Sequence, residues 1–136
     1  DGVLVDGVGV GGGVVDRLKQ LGHDCIDVNA GARAQDQKTY MNKRAEMWGK
    51  MRDWLKGGDI PSDDQELETD LTAIEYGFDA KNRLQLERKE DMKKRGLHSP
   101  DVADALALTF AEDIAKWSED HYGDMEVAIS DYEPGG

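Results

Sequence analysis

The sequence predicts an α/β fold built around a parallel pair of strands, and three observations predict it. The opening "GVLVD" is a short apolar run bounded by glycine, which reads as a buried strand. A glycine-rich turn and a run of helical period follow it. A second short apolar run, "CIDVN", then completes a β-α-β unit, the pattern that places two strands side by side in parallel.

Each element follows in order. In the first helix Val14, Val15, Leu18 and Leu21 recur at helical spacing, and Gly22 is the expected C-cap. Residues 30–39, "AGARAQDQKT", have no period and read as a loop. A second helix is expected from Tyr40 to Lys56, with Met47, Met51, Trp54 and Leu55 on its buried face and Lys43, Lys50 and Asp53 on the other. "GGDIPSDD" ends it, and Ser62 is expected to cap a short turn around Glu66 and Leu67. "LTAIEYGF" and "RLQLERK" alternate in hydropathy and are joined by "DAKN", so they read as an antiparallel hairpin. A basic cluster comes next. Ser99 as N-cap and Pro100 in the first turn then open a long helix whose buried stripe is Val102, Leu106, Phe110, Ile114 and Trp117. The tail after His121 is acidic, ends "DYEPGG" and is expected to fray.

At 136 residues the chain is read as one domain with room for a proper core. With 29 acidic and 17 basic side chains the net charge is −12, which favours cation binding and opposes tight binding of nucleic acid by charge alone. The single cysteine, Cys25, lies in an apolar run and is read as a buried thiol of a reducing compartment, so no disulfide framework exists. No apolar run is long enough to span a bilayer and no signal peptide precedes the first strand, so a soluble intracellular protein is expected. The chain starts almost on a strand and without methionine, as a fragment of a longer protein would.

Gly7, Gly9 and Gly12 fall at the G-x-G-x-x-G spacing of a dinucleotide-binding turn, and an acid, Asp27, follows about 20 residues on. The match is formally complete, but so short a pattern arises easily in a chain with 16 glycines. Asp6 also stands at the end of the strand, where a carboxylate would repel a phosphate. A P-loop is excluded, because no Gly-Lys-Ser/Thr follows the glycines.

The acids carry more information. Asp101 and Asp104 are three positions apart in the first turns of the last helix and project from roughly one face. The helix dipole alone explains Asp101. Asp104 sits in the otherwise apolar "VADALALTFA", and a carboxylate pressed toward a core needs a partner, of which a divalent cation is one and a structural ion pair another. Asp6, at the C-terminal end of a strand where ligands of α/β sheets bind, is its natural companion. Such acids suit hard cations, Mg²⁺ or Mn²⁺, and the chain has no histidine and cysteine cluster for zinc.

Taken together and in this order, "VDGVGVGGGVVDRLKQLG", "NKRAEMWGKMRDWL", "LERKEDMKKRG" and "SPDVADALALTFA" resemble the C-terminal nuclease domain of the large terminase subunit of tailed bacteriophages. The resemblance covers residues 1 to about 117. It implies an RNase H-like mixed sheet flanked by helices, related to Holliday-junction resolvases, occupying residues 1–120 with an acidic tail over 121–136. It also implies an endonuclease that cuts concatemeric viral DNA with two divalent metals about 4 Å apart. Asp6 then matches the acid of the second catalytic motif and Asp101 that of the last. Asp104 matches a further acid found one turn later in the resolvase relatives. The family's first catalytic acid lies on an earlier strand that this chain lacks, together with the ATPase motor, so an incomplete site is expected. The basic run Arg88, Lys89, Lys93, Lys94 and Arg95 is the expected contact to DNA phosphates, and it reads equally as a solvated helix face. Double-stranded DNA, the terminase small subunit and the portal protein are the implied partners, and the bacterial host cytoplasm the implied location. Competing readings are a nucleotide-binding or portal-contacting module without catalysis, and an inactive prophage remnant.

Overall fold

The computed structural model describes residues 2–112. The expected helical positions Ile114 and Trp117, the domain end at 120 and the acidic tail lie outside the described residues.

The first strand, β1 (Leu4–Asp6), leads through the glycine turn into α1 (Val10–Gln20) and then β2 (Ile26–Val28). β1 and β2 pair in parallel, Leu4 opposite Ile26 and Asp6 opposite Val28. Side chains alternate between the faces of a strand, so Leu4, Asp6, Ile26 and Val28 share one face while Val5 and Asp27 share the other. The first face is the core face: Val28 belongs to the buried cluster, and Leu4 and Ile26 pack on it. Asp6 therefore emerges on the side of the sheet that faces the core helices.

Glycine is a poor helix former, by about 1 kcal/mol against alanine, and α1 begins on a run of them for steric reasons. Gly9, its N-cap, has φ +65°, and a Cβ on Gly11 would collide with the carbonyl oxygen of Asp6. The helix ends as expected at Gly22 (φ 82°), where the amides of Gly22 and His23 donate to Lys19 O and Leu18 O, both at 3.0 Å. Only Val15 of its predicted stripe is buried. Leu18 is half-buried, and Val14 and Leu21 are exposed, because a two-stranded sheet is too narrow to cover more of the helix. Cys25 is half-buried rather than buried.

The second helix, α2 (Lys43–Leu55), begins three residues later than the periodicity predicts. Asn42 is its N-cap, accepting from the Ala45 amide at 2.9 Å, and the amides of Lys43 and Arg44 donate to Ala32 O and Ala30 O at 2.8 and 2.9 Å. All three otherwise orphaned donors are thus met, two of them by the loop after β2, which they pin to the helix. Tyr40 instead bridges to Leu84, and its ring lies on Gly49, where a side chain would not fit. Met47 and Met51 are buried as expected, but the buried tryptophan is Trp48 (7% exposed) and Trp54 is 42% exposed. Lys43, placed on the outer face by the sequence, is buried because its ammonium meets Glu46 at 3.1 Å.

Next comes α3 (Gln65–Ala73), capped by Asp64 rather than Ser62, with Asp64 Oδ1 accepting from the Leu67 amide at 2.9 Å. It absorbs Leu71–Ala73, which alternation alone had assigned to a strand. The hairpin forms from β3 (Tyr76–Phe78) and β4 (Leu84–Leu86), antiparallel, with Asp79 Oδ1 accepting the amides of Lys81 and Arg83 across the turn. Among the described residues the strands make two separate two-stranded sheets, one parallel and one antiparallel.

Two further helices follow among the described residues, α4 (Lys89–Lys94) and α5 (Asp101–Leu108). α5 packs on α2 and α3 and touches β1. The helix ends at Leu108, short of the expected Phe110; its innermost residues are Ala103 and Ala107, joined by Ala111 beyond its end (0–1% exposed), with the expected Val102, Leu106 and Phe110 half-buried around them. Alanines at the contact let the helix backbones approach closely, and the larger side chains fill the flanks. Pro100 occupies the N-cap position. Ser99, expected there, instead donates its hydroxyl to Asp101 Oδ1 at 2.8 Å.

Candidate functional site

A cleft of about 510 Å³ opens where the C-terminal ends of β1 and β2 meet the start of α5. Asp6 ends β1, Asn29, Ala30 and Gly31 follow β2, Asn42 and Arg44 begin α2, Lys89 begins α4, and Asp101 and Asp104 begin α5. All three acids singled out by the sequence thus line one cavity. The loop on its rim is ordered by Asn29, whose Oδ1 accepts from the Gly31 amide at 2.9 Å.

The surroundings of the acids differ. Asp6 is exposed, and its Oδ1 accepts from the Val8 amide at 3.2 Å. Asp101 is exposed and holds only the Ser99 hydroxyl. Neither is ion-paired among the described residues. Asp104 is three-quarters enclosed and heavily partnered: Oδ1 accepts from Trp48 Nε1 at 2.8 Å and Arg44 Nε at 3.3 Å, and Oδ2 lies 3.3 Å from Lys89 Nζ. Arg44 Nη1 in turn donates to Glu87 O at 3.1 Å, and the guanidinium lies over the Trp48 ring. Arg44 Nη2 and Asp104 Oδ2 are buried without an aligned hydrogen bond, so they are held by charge alone. The partner that Asp104 requires is thus supplied within the chain.

The basic run is divided. Lys89 lines the cleft. Arg88, Lys93 and Lys94 are exposed, Lys94 against Asp91 at 3.6 Å. Arg95 is a staple: its guanidinium binds Glu87 with two contacts of 2.7 Å and reaches Ala73 O at 2.9 Å. Those bonds hold the Glu87 carboxyl below its usual range and the guanidinium above its own.

Carboxylates crowd the glycine turn from both faces of the sheet. Beside Asp6, the Asp27 carboxylate lies so close to Gly7 that a Cβ there would collide with it. An incoming pyrophosphate would meet negative charge on either side, which removes the physical basis of a dinucleotide site.

Sequence reasoning missed Arg44, Trp48, Asn42 and Glu46. Asn42, three residues before Ala45 at the start of an apolar stripe, carried the only local signal, that of an N-cap. Glu46 (1% exposed) receives the amides of Gln35 and Asp36 at 3.2 and 2.8 Å, which anchors the loop of residues 30–39. Burial acts to raise its carboxyl, but those amides and Lys43 outweigh it and hold the group below the usual range.

Asp6 and Asp101 are hard oxygen donors, each with a carboxylate oxygen not engaged in a hydrogen bond among the described residues, and both face one cavity. They fit a hard divalent cation whose shell of about six oxygens is otherwise filled by water. No group of three or more His, Cys, Asp or Glu side chains converges to hold an ion among the described residues.

The described residues form an α/β domain whose strands make two small sheets rather than the single mixed sheet expected, with acids at the end of β1 and at the start of α5. Among solved structures, the chain is similar to the nuclease domain of the large terminase subunit gp2 of bacterial virus Sf6, at TM-score 0.65 and 24% identity, over 81% of this chain and 64% of that one. A lysine-to-alanine mutant of the same domain with manganese gives TM-score 0.65 and 23% identity over 81% and 65%, and one with calcium gives the same score and identity. The chain has the fold of the terminase nuclease domain and spans about 65% of its length. No family model and no curated protein sequence matches it. Among the described residues no helix is long and apolar enough to cross a membrane.

Proposed function

We propose that the chain is the nuclease part of a phage DNA-packaging terminase large subunit, an endonuclease that hydrolyses phosphodiester bonds of concatemeric viral DNA. The observation that carries this reading is that Asp6 and Asp101, far apart in sequence, line one cleft at the C-terminal edge of the parallel strands. The manganese and calcium bound by structures of the same fold support a divalent cation there.

In this reading Asp6 and Asp101 hold Mg²⁺ or Mn²⁺, which when bound supplies a Lewis acid and an activated water at the phosphorus. Lys89 lines the cleft and, although paired with Asp104, keeps a half-exposed side chain to meet the charge of the phosphate, while the more enclosed Arg44 is held by Asp104. Asp104 serves by holding both cations, and is a poorer candidate for a metal ligand than Asp6 or Asp101. The DNA itself, the small subunit and the portal are the partners, acting in the bacterial cytoplasm, and a two-metal site needs a further acid beyond Asp6 and Asp101.

Nicking of supercoiled plasmid tests the reading. We expect slow, Mn²⁺-dependent, sequence-tolerant nicking that Asp6→Asn and Asp101→Asn each abolish. Nicking that persists in both variants, or none in Mn²⁺ or Mg²⁺ from a chain extended to the full length of the solved nuclease domains, would overturn it.

A further inference from the structure

Asp70 lies on α3, outside the cleft and remote in sequence from Asp6, Asp101 and Asp104, yet it is only 2% exposed. Buried carboxylates need donors, and two of its partners are backbone amides of another helix: Oδ2 accepts from Val102 N at 3.0 Å and Ala103 N at 3.2 Å. These are orphan donors of the first turn of α5, whose N-cap position is filled by Pro100, a residue without a capping side chain. Its other oxygen, Oδ1, lies 3.3 Å from Nε2 of His98, in the segment that leads into α5. One carboxylate therefore ties the approach to the helix and its first turn together. Asp101 lies between those tie points, with Ser99 and Pro100.

We infer that Asp70 is a positioning residue for the cation site: by capping α5 from α3 it fixes where Asp101 stands in the cleft, without touching the ion. The inference rests on the proposed role of Asp101. A local N-cap would serve the helix as well energetically, but a side-chain cap at position 100 would leave the helix free to tilt on its own. A cap from α3 fixes it to the packed helices, among which Ala103 is wholly buried. A metal site tolerates little drift in its ligands, so the effect of losing the cap should be read first in cation affinity.

The experiment measures Mn²⁺ affinity by calorimetry and amide hydrogen exchange at Val102 and Ala103 in the whole chain and its variants. Asp70→Ala should speed exchange at both amides and weaken Mn²⁺ binding about tenfold, the scale of a lost cap. Asp70→Asn keeps an oxygen for the two amides and should stay within about threefold of the parent, a rescue that removal of a remote negative charge could not give. Should Asp70→Ala not fold, Asp70→Ser, with too short a side chain to reach both amides, takes its place with the same expectation. Faster exchange with unchanged Mn²⁺ affinity, while Asp101→Asn abolishes binding, would overturn the positioning role and leave the nuclease reading standing. Unchanged binding in Asp101→Asn would instead remove the reading on which it rests.

Discussion

Asp101 and Asp104 stand one helical turn apart and meet opposite surroundings. Asp101 has a single hydroxyl partner, whereas Asp104 gathers an indole N–H, a guanidinium and an ammonium. Removing the charge of Asp104 would leave Arg44 enclosed without its counter-ion, so Asp104→Asn should cost roughly 2 kcal/mol in urea unfolding, while Asp101→Asn changes stability by less than about 1. Equal costs would mean the two acids are not separated into a structural and an available one. Glu46 gives a pH signature of its own. Its folded carboxyl lies below the ordinary 4.5, so its contribution is present above that value and is lost as pH falls through the depressed folded value. Thermal melts should therefore show less acid destabilisation in Glu46→Gln than in the parent between about pH 5 and pH 3, at the expense of stability near neutrality. A parallel pH dependence in the two proteins would contradict this.

The elements were legible in the sequence wherever their signals are local. The β-α-β unit, the "DAKN" turn and the start of α5 rest on neighbouring residues, and each appears, the last of them one residue later than expected, with Pro100 rather than Ser99 at the N-cap position. Interior assignments were less legible, because they depend on partners. Period alone could not choose Trp48 over Trp54, nor foresee Lys43 drawn inward by Glu46. The alanine face of α5 was masked by the bulkier valine, leucine and phenylalanine beside it. The site divides the same way: its acids announce themselves by type and place, but Arg44 meets Asp104 across 60 positions and Asp70 caps α5 across 32, distances no local pattern reaches. The glycines of α1 provide an element-scale test of close approach. A Cβ at Gly13 meets nothing, so Gly13→Ala should stabilise the chain by about 0.5–1 kcal/mol, whereas Gly11→Ala, aimed at the Asp6 carbonyl, should destabilise it by more than that. Thermal denaturation of the pair checks both signs.

At the scale of the whole molecule, a net charge of −12 and a cleft lined by acids oppose DNA, and among the described residues Lys89 is the one lysine that lines that cleft. Binding of a duplex measured by fluorescence anisotropy should thus be weak, with a shallow salt slope of magnitude no more than about 3, and Lys89→Gln should weaken it without changing cation affinity. A steep slope insensitive to Lys89 would place the DNA on the exposed face of Arg88, Lys93 and Lys94 instead.

The central claim is that two acids far apart in the sequence, Asp6 and Asp101, form one cation site, and calorimetric titration with Mn²⁺ tests it most directly. Two carboxylates with water completing the shell should bind one ion weakly. Asp6→Asn and Asp101→Asn should each abolish that binding, with Asp104→Asn affecting it less. Full Mn²⁺ binding in either Asp6→Asn or Asp101→Asn would contradict the account.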